Sequence, residues 1–191
     1  MGKIVISENV SLDGAVQDPA GAEGFSRGGW VGRVGDHGRE EAAQVLLDEH
    51  LGAEALLQGR RTYEFLAARW PSRSGELANR MNSMPKYVVS STLKHPKWNN
   101  TTVIKSDVMT EVSKLKQELN GEIAVAGSIQ LVRTLIEHDL VDEVRLMVYP
   151  VVLGAGDQLF GETYDELPMR LVTTETIGDL AYLTYEVVRA A

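Results

Sequence analysis

The sequence contains no cysteine, which excludes disulfide bonds, thiolate chemistry and cysteine-ligated zinc. Basic residues are also scarce, since 19 Lys and Arg stand against 27 Asp and Glu, and the net charge is −8. No basic cluster extends beyond Arg60-Arg61. Nonspecific nucleic-acid binding is therefore disfavoured, because it requires a basic surface that neutralises phosphates. The four histidines form no HExxH-like set, and we expect no metal site.

Several familiar sequence signals are missing as well. No apolar run approaches the ~20 residues that span a bilayer. There is no GxSxG elbow of an α/β-hydrolase, no GxGxxG fingerprint and no P-loop. The first strand begins at Ile4 without a basic-then-apolar leader. With 43% hydrophobic and 24% charged residues, the 191-residue chain has the composition of a soluble globular protein. We expect one cytoplasmic domain over residues 1–191.

Hydrophobic periodicity predicts strands and helices in alternation, followed by a hairpin. The predicted strands cover residues 3–10, 55–58, 87–90, 103–104, 122–126 and 143–152, and the hairpin pairs 170–177 with 181–189. The predicted helices cover 40–51, 61–69 and 107–119, and a fourth begins at Ile129. In the first helix, Ala43, Leu46, Leu47 and His50 or Leu51 form the expected inward stripe. This order predicts an α/β sandwich with a mostly parallel sheet that ends in antiparallel strands.

A strand that feeds a helix through a small-residue turn stands out at residues 122–136. Ile123, Val125 and Ala126 end at Gly127-Ser128, and apolar residues then recur at helical spacing, with Gln130 one turn on. Such a turn exposes backbone N–H groups at the positive end of a helix dipole, which suits an anion. The alternative is a tight strand-to-helix connection without a ligand.

A second turn of this kind follows the predicted strand 55–58. Gly59 ends the strand, and Arg60 and Arg61 stand at the start of a helix that begins near Thr62. Cations at a helix N-terminus oppose the helix dipole, and a bound polyphosphate would explain two of them through guanidinium contacts. A solvated surface pair is the alternative.

A third candidate is Ser90-Ser91-Thr92, whose hydroxyls follow the strand 87–90 and suit a ribose, a phosphate or merely a turn. Because ligands of open α/β sheets bind at the carboxyl ends of the strands, the three turns together predict a nucleotide site. A fourth candidate is Asp13-Gly14, followed by a glycine-rich loop over 16–38 that contains Trp30. We expect this loop to form a lid, with Asp13 either a functional carboxylate or a turn residue.

These segments resemble a known superfamily. Residues 59–64, GRRTYE, resemble the G-R-x-T-[WY]-E cofactor motif of dihydrofolate reductases. Residues 88–91 are similar to the strand of those enzymes that meets the adenosine, and 125–128 stand where they carry a glycine pair. Residues 11–14, 127–128, 140–143 and 150–156 look like stand-alone relatives of the reductase domain of the bifunctional riboflavin-biosynthesis deaminase–reductase. The resemblance spans nearly the whole chain.

The resemblance implies a dihydrofolate reductase-like three-layer sandwich, with a central, mostly parallel mixed sheet and a C-terminal antiparallel hairpin. It also implies NADPH as the cofactor. By position, Arg60 and Ser91 would contact the 2′-phosphate, and Arg61 and Thr62 the pyrophosphate. The other implied cofactor-binding residues are Ser7, Gly14, Gly59, Ser90, Gly127, Ser128, Ile129 and Gln130. Asp13 and Asp36 are the candidate catalytic carboxylates, and Trp30 is the candidate lid and substrate contact.

The predicted function is an NADPH-dependent oxidoreductase related to 5-amino-6-(5-phosphoribosylamino)uracil reductase. It would reduce a small heterocycle or an imine- or carbonyl-type acceptor. The alternatives are a non-catalytic nucleotide-binding module, acting as a sensor or scaffold, and a true dihydrofolate reductase. Apolar residues crowd the late strand, at Leu146, Val148, Val151 and Leu153, and stripe the terminal hairpin, at Leu171, Val172, Leu183, Tyr185 and Val187. They form either internal core or an uncovered surface, and uncovered apolar strands invite association. Because the riboflavin-type relatives resemble dimers, we predict a C2 homodimer built on these strands.

Overall fold

The computed structural model describes residues 1–33, 37–161 and 166–189. The strands are β1 (Lys3–Ser11), β2 (Ala53–Gly59), β3 (Lys86–Val89), β4 (Thr101–Ile104), β5 (Glu122–Val125), β6 (Glu143–Tyr149), β7 (Met169–Ile177) and β8 (Leu180–Val187). The α-helices are α1 (Arg39–Gly52), α2 (Arg60–Ala67), α3 (Glu76–Ser83), α4 (Val108–Glu118) and α5 (Ile129–Glu137). Short 3-10 turns cover Val31–Arg33 and Trp70–Ser72. None of these described helices combines the length and apolarity needed to cross a membrane.

The eight strands form one mixed sheet in the order β4-β3-β2-β5-β1-β6-β8-β7. Parallel pairing joins β4 to β3, β3 to β2, β2 to β5 and β5 to β1. The strands β6, β8 and β7 pair antiparallel. The predicted fold class, a mostly parallel mixed sheet with a C-terminal antiparallel hairpin, is thus confirmed.

The chain divides into two compact units. The first contains Met1–Ile6 and Val45–Asp142, and the second contains Ser7–Gln44 and Glu143–Ala191. The prediction of a single domain over 1–191 stays a prediction. All the parallel pairs lie in the first unit, and the antiparallel hairpin lies in the second.

The first unit has an aromatic and aliphatic core on one face of β2 and β3. Tyr63 of α2 reaches it, and the Tyr63 hydroxyl accepts a hydrogen bond from the Trp98 backbone N–H at 3.0 Å. The buried members are Ala53, Leu56, Tyr63, Met81, Met84, Val88 and Trp98. This packing holds α2 and its N-terminus against the carboxyl ends of the strands.

Two buried lysines also tie the first unit together. Lys116 Nζ lies 2.6 Å from Asp142 Oδ2 and donates to the Leu140 carbonyl at 2.8 Å. Asp142 Oδ2 also accepts from the Ile4 backbone N–H at 2.8 Å. Lys86 Nζ donates to the Met84 carbonyl at 2.8 Å, and burial lowers the pKa of Lys86 to about 8. Lys116 therefore joins segments that are far apart in sequence, whereas the contact of Lys86 with Met84 is local.

Some sequence predictions were wrong in detail. The inward stripe of the first helix is not formed, because Ala43, Leu46 and Leu51 of α1 are exposed and only His50 is buried. The apolar residues of α1 are spread around the helix, so they do not define one face. The helix α3 was not predicted, although Ala78 and Met81 sit at helical spacing and are buried. The strand β6 ends at Tyr149 rather than at 152, since Pro150 has no N–H to continue a ladder.

Candidate functional site

The turns after four parallel strands of the first unit lie at one edge of the sheet. The register pairs Gly59 of β2 with Val89 of β3, and Val89 with Ile104 of β4. On the other side of β2, Leu56 pairs with Ala124 of β5. Carboxyl ends of parallel strands are where ligands of such sheets bind. The candidate residues at 59–62, 90–91 and 127–130 are therefore neighbours in space, as the sequence predicted.

The β5–α5 turn is locked to the β2–α2 turn by one hydrogen bond. The Gly59 backbone N–H donates to Ser128 Oγ at 2.9 Å. Gly127 and Ser128 both have left-handed backbones, with φ of 66° and 62°. A Cβ on Gly127 would lie 3.2 Å from Thr62 Oγ1, so only glycine leaves the gap between the two turns open.

Both helices that start at these turns lack a side-chain cap. Gly59 and Ser128 are the N-cap residues of α2 and α5, and neither makes a side-chain cap hydrogen bond. The first backbone N–H groups of an uncapped helix need an acceptor from solvent or from a ligand. Because the two N-termini are joined by the Ser128 hydroxyl, their positive ends converge, which favours an anion with more than one charge.

Two arginines begin α2, as predicted. Arg60 and Arg61 are exposed. Arg60 Nη1 lies 3.4 Å from Glu64 Oε1, and the Arg60 side chain is 47% exposed. A solvated ion pair of this kind is weak, so the guanidinium is available to a stronger anion.

The two serines after β3 differ in exposure and in hydrogen bonding. Ser90 is buried, and its Oγ accepts from the backbone N–H groups of Thr92 and Leu93 at 3.2 and 3.0 Å, so this hydroxyl closes the turn. Ser91 is exposed. Lys105, also exposed, follows β4 at the same edge and was missed by sequence reasoning. The signal in the sequence that could have indicated Lys105 is its position directly after a short strand.

Gln58 supplies an unexpected polar group beside these turns. It is the residue before Gly59, and it is only 1% exposed. Its Oε1 is buried and has no hydrogen-bond partner among the described residues. A buried acceptor without a partner is costly, and a donor on a bound molecule or an ordered water would relieve that cost.

In the second unit, the Asp13 carboxylate is fully engaged in a turn. Asp13 Oδ1 accepts from the Leu153 backbone N–H at 3.0 Å and from Ser11 Oγ at 2.7 Å. Asp13 Oδ2 accepts from the Gly154 backbone N–H at 2.7 Å. These bonds, led by the one from Leu153, lower the pKa of Asp13 to about 2. Asp13 is therefore ionised at neutral pH and acts as an acceptor.

We expect Asp13→Asn to lower the melting temperature most at neutral pH. A carboxylate with a depressed folded-state pKa stabilises the folded state above its unfolded pKa of 3.8, and the stabilisation is lost as the pH falls through about 2. The difference in melting temperature between wild type and variant should therefore shrink below pH 4. Differential scanning calorimetry across pH 7 to 3 measures it, and a difference that is constant with pH would contradict the assignment.

The glycine-rich loop is organised by Asp18, which sequence reasoning missed. Asp18 is 3% exposed, and its carboxylate accepts from the backbone N–H groups of Ala22, Glu23 and Phe25 at 2.7, 3.0 and 3.1 Å. The Asp18-Pro19 pair ahead of Gly21 was a turn signal. Backbone hydrogen bonds to the Asp18 carboxylate thus give residues 18–25 a defined turn conformation.

The remaining candidates also lie in the second unit. Trp30 is fully buried, donates from Nε1 to the Gln17 carbonyl at 2.9 Å and meets the Tyr149 ring edge-on at 5.4 Å. Its ring anchors the loop and has no exposed surface to offer a substrate.

Gly14 has φ of 83°, and a Cβ there would lie 2.7 Å from Gln158 Oε1. Ser7 is half-buried in β1. Asp36 lies outside the described residues.

Comparison with known sequences identifies the family. The sequence model of the RibD C-terminal domain matches residues 2–183, and the chain belongs to this family. It is 32% identical to the uncharacterized protein YyaP of Bacillus subtilis (strain 168) over 130 residues, which are 65% of this chain and 69% of YyaP. It is 28% identical to YwjB of the same organism over 186 residues, covering 96% and 97% of the two chains.

Several solved structures share this fold. A Shewanella sp. PV-4 protein provisionally assigned to riboflavin biosynthesis has a TM-score of 0.75 at 23% identity, with 98% and 99% of the chains covered. The Thermotoga maritima diaminohydroxyphosphoribosylaminopyrimidine deaminase/5-amino-6-(5-phosphoribosylamino)uracil reductase has a TM-score of 0.65 at 14% identity, and 98% of this chain covers 57% of it. Dihydrofolate reductase from Enterococcus faecalis, complexed with NADP(H) and RAB-propyl, has a TM-score of 0.56 at 14% identity, with 97% and 96% covered. The predicted resemblance is thus confirmed.

Proposed function

We propose that this protein is an NADPH-dependent reductase that reduces a small heterocycle or an imine- or carbonyl-type acceptor. The observation that carries the proposal is the hydrogen bond from the Gly59 N–H to Ser128 Oγ. It joins two uncapped helix N-termini beside the space that Gly127 leaves open. Such a pair of positive helix ends suits a pyrophosphate. The reductase named in the Thermotoga maritima relative and the NADP(H) complex of the Enterococcus faecalis enzyme support the same reading.

In the first unit, the residues of the two joined turns would hold the cofactor. Backbone groups of Arg61 and Thr62, and of 127–130, would hold the pyrophosphate, and Gly127 leaves room for it. Arg60 and Ser91, with Lys105 as a further cation, would hold the 2′-phosphate. Ser90 would shape the turn that presents Ser91. NADPH would supply the hydride, and the chain would bind and orient it.

For the second unit, we propose that Asp13 orients the acceptor and does not donate a proton to it. Its carboxylate is ionised at neutral pH and is tied to the 153–154 backbone, so a neutral proton donor is not available there. The contacts of Ser7 and Gly14 with the nicotinamide, and a catalytic role of Asp36, remain parts of the proposal. Trp30 is assigned to anchoring the loop.

Titration with NADPH tests the site directly. We expect wild type to bind NADPH in the micromolar range, followed by nicotinamide fluorescence. Gly127→Val should weaken binding at least 10-fold, about 1.4 kcal/mol, because the branched side chain meets Thr62 and occupies the gap. Gly52→Ala, where a Cβ meets nothing within 4 Å, is the matched control and should bind as wild type. Absence of wild-type binding at high micromolar NADPH would overturn the proposal.

A non-catalytic nucleotide-binding module is the second candidate. The observation that favours it is the fixed, ionised Asp13. Of the proposed proton donors, this leaves water and Asp36, which lies outside the described residues. NADPH oxidation with pterins including dihydrofolate, ribosylamino-pyrimidines, quinones and nitroaromatics separates the two. Binding of NADPH without turnover of any acceptor would favour the module.

A further inference from the structure

The positive charge of this chain is concentrated in one stretch of the first unit. Residues 60–106, from the start of α2 to the residue before the N-cap of α4, hold nine of the 19 Lys and Arg but only two of the 27 Asp and Glu. The stretch therefore carries +7, and because the net charge is −8, the rest of the chain carries −15. The cations are dispersed, so the sequence shows no basic run longer than Arg60-Arg61.

Four of these nine cations are engaged within the fold. The guanidinium groups of Arg69 and Arg73 lie over aromatic rings of α2 and of the 3-10 turn that follows it. Arg80 and Lys86 donate hydrogen bonds to backbone carbonyl groups. The other five are exposed, and we call them the basic face: Arg60, Arg61, Lys94, Lys97 and Lys105.

Three members of the basic face stand at the edge of the sheet where the candidate turns lie. Arg60 and Arg61 directly follow β2, and Lys105 directly follows β4. Both strands pair parallel with β3, so their carboxyl ends meet at one edge. These three cations therefore border the candidate site itself.

The other two members lie on the connection from β3 to β4. The residue before Lys94 donates its backbone N–H to Ser90 Oγ at 3.0 Å. The residue after Lys97 donates its backbone N–H to the Tyr63 hydroxyl of α2 at 3.0 Å. Both lysines are thus held at defined positions beside α2, and neither belongs to the turns that we assign to the cofactor.

The lysines of the basic face have no counter-charge. None of Lys94, Lys97 and Lys105 forms an ion pair with another described residue. By contrast, the exposed Lys114 of α4 lies 2.8 Å from Glu111. Soluble proteins usually intersperse charges of both signs, because neighbouring cations repel one another. A surface of one sign in a chain of the opposite net charge therefore indicates a ligand that is an anion.

Acidic residues of the first unit lie on the other side of the sheet. Burial, together with the charges of Glu118 in α4 and Glu54 in β2, raises the pKa of Tyr87 in β3. Tyr87 points away from Val88, its neighbour in the strand, and Val88 belongs to the core that α2 covers. The two acids therefore lie on the side away from α2, which leaves the basic face uncompensated.

We propose that the basic face steers the anionic dinucleotide to the joined turns, and that Lys94 and Lys97 act on its association rate without contacting it in the complex. The inference rests on the proposed function. Charges outside contact distance change mainly the association rate and its dependence on salt. The 2′-phosphate gives NADPH about 1.5 to 2 more negative charges than NADH, so the basic face favours NADPH during the approach.

Stopped-flow measurement of cofactor association tests the proposal. In about 20 mM salt, the Debye length is on the order of 20 Å, and attraction reaches beyond contact. The double variant Lys94→Glu with Lys97→Glu should then lower the association rate constant about 5-fold for NADPH and about 2-fold for NADH. Its dissociation rate constants should match those of wild type. In about 500 mM salt, where screening is nearly complete, the association rate constants should also match.

The matched control is the double variant Lys3→Glu with Lys114→Glu, which changes the net charge equally at exposed lysines of the same unit. Lys3 begins β1, at the amino ends of the parallel strands, and Lys114 lies on α4. This control should associate with NADPH as wild type does, because its substitutions lie away from the basic face.

Three outcomes would overturn the steering role and leave the proposed function intact. The first is a Lys94→Glu and Lys97→Glu variant that associates like the control, and the second is one that changes only the dissociation rate. The third is a fluorescein-labelled single-stranded oligonucleotide that wild type binds at physiological salt and this variant does not, since the basic face would then serve a nucleic acid. A wild type that does not bind NADPH would overturn both proposals.

Discussion

Lys116→Met is expected to lower the free energy of unfolding by about 3–5 kcal/mol, because it removes one partner of a buried ion pair. Lys116 Nζ lies 2.6 Å from Asp142 Oδ2, and the two side chains are only 7% and 17% exposed. Without the ammonium, the Asp142 carboxylate stays buried and loses its close cation, while it still accepts from the Ile4 N–H. The Leu140 carbonyl also loses its donor.

Urea denaturation followed by far-UV circular dichroism measures this change. Lys114→Met is the control, because Lys114 is on the same helix but its pair with Glu111 is exposed, and we expect unchanged stability. The double variant Lys116→Met with Asp142→Asn should recover part of the loss, since it no longer buries a carboxylate that has lost its ammonium partner. Equal stability of wild type and Lys116→Met would show that the ion pair does not hold the first unit together.

Arg60→Ala is expected to remove most of the preference for NADPH over NADH. Charge-assisted hydrogen bonds to a 2′-phosphate contribute about 1.5–3 kcal/mol, so the affinity ratio should fall about 10- to 100-fold. Gly59 and Val89 are register partners, which places Arg60 beside the turn that carries Ser91. Because the Arg60 side chain is 47% exposed, the preference should also weaken with added salt.

Two arginine variants make this test specific. Arg61→Ala should change the affinities for NADPH and NADH by the same factor, since both cofactors carry the pyrophosphate to which Arg61 is assigned. Arg73→Ala removes a cation that stacks on Trp70, away from the strand ends, and should leave both affinities unchanged. If Arg60→Ala keeps the wild-type ratio of NADPH affinity to NADH affinity, the 2′-phosphate does not bind at this residue.

Local sequence patterns were sufficient for the turns of the candidate site. The Gly59 and Gly127 turns were predicted because a strand, a small residue and an amphipathic helix follow one another within a few residues. The parallel pairing of β2 with β5 then placed both turns at the carboxyl ends of neighbouring strands. Lys105 was missed because its strand is four residues long, and a short strand has little periodicity.

Side-chain partners from distant segments could not be read from the sequence. Ile4 and Asp142 are 138 positions apart, and no local pattern relates them. The same reason applies to Asp13, for which the sequence left open a turn residue or a functional carboxylate. Its hydrogen bonds from the backbone N–H groups of Leu153 and Gly154 became visible only in the structure. The helix α1 has a different explanation, because its apolar residues are spread around the helix and do not form one face.

The sequence by itself determined the order of the strands and of four of the five α-helices described, the positions of the glycine turns and the arginines at the start of α2, because these depend on backbone propensity over short distances. Only the tertiary structure decided that the Ser128 hydroxyl joins two helix N-termini, that Asp13 is ionised within a turn and that Trp30 is buried. Each of these depends on which distant groups lie within about 3–4 Å of one another, and the energies of hydrogen bonds, ion pairs and burial are set at that distance.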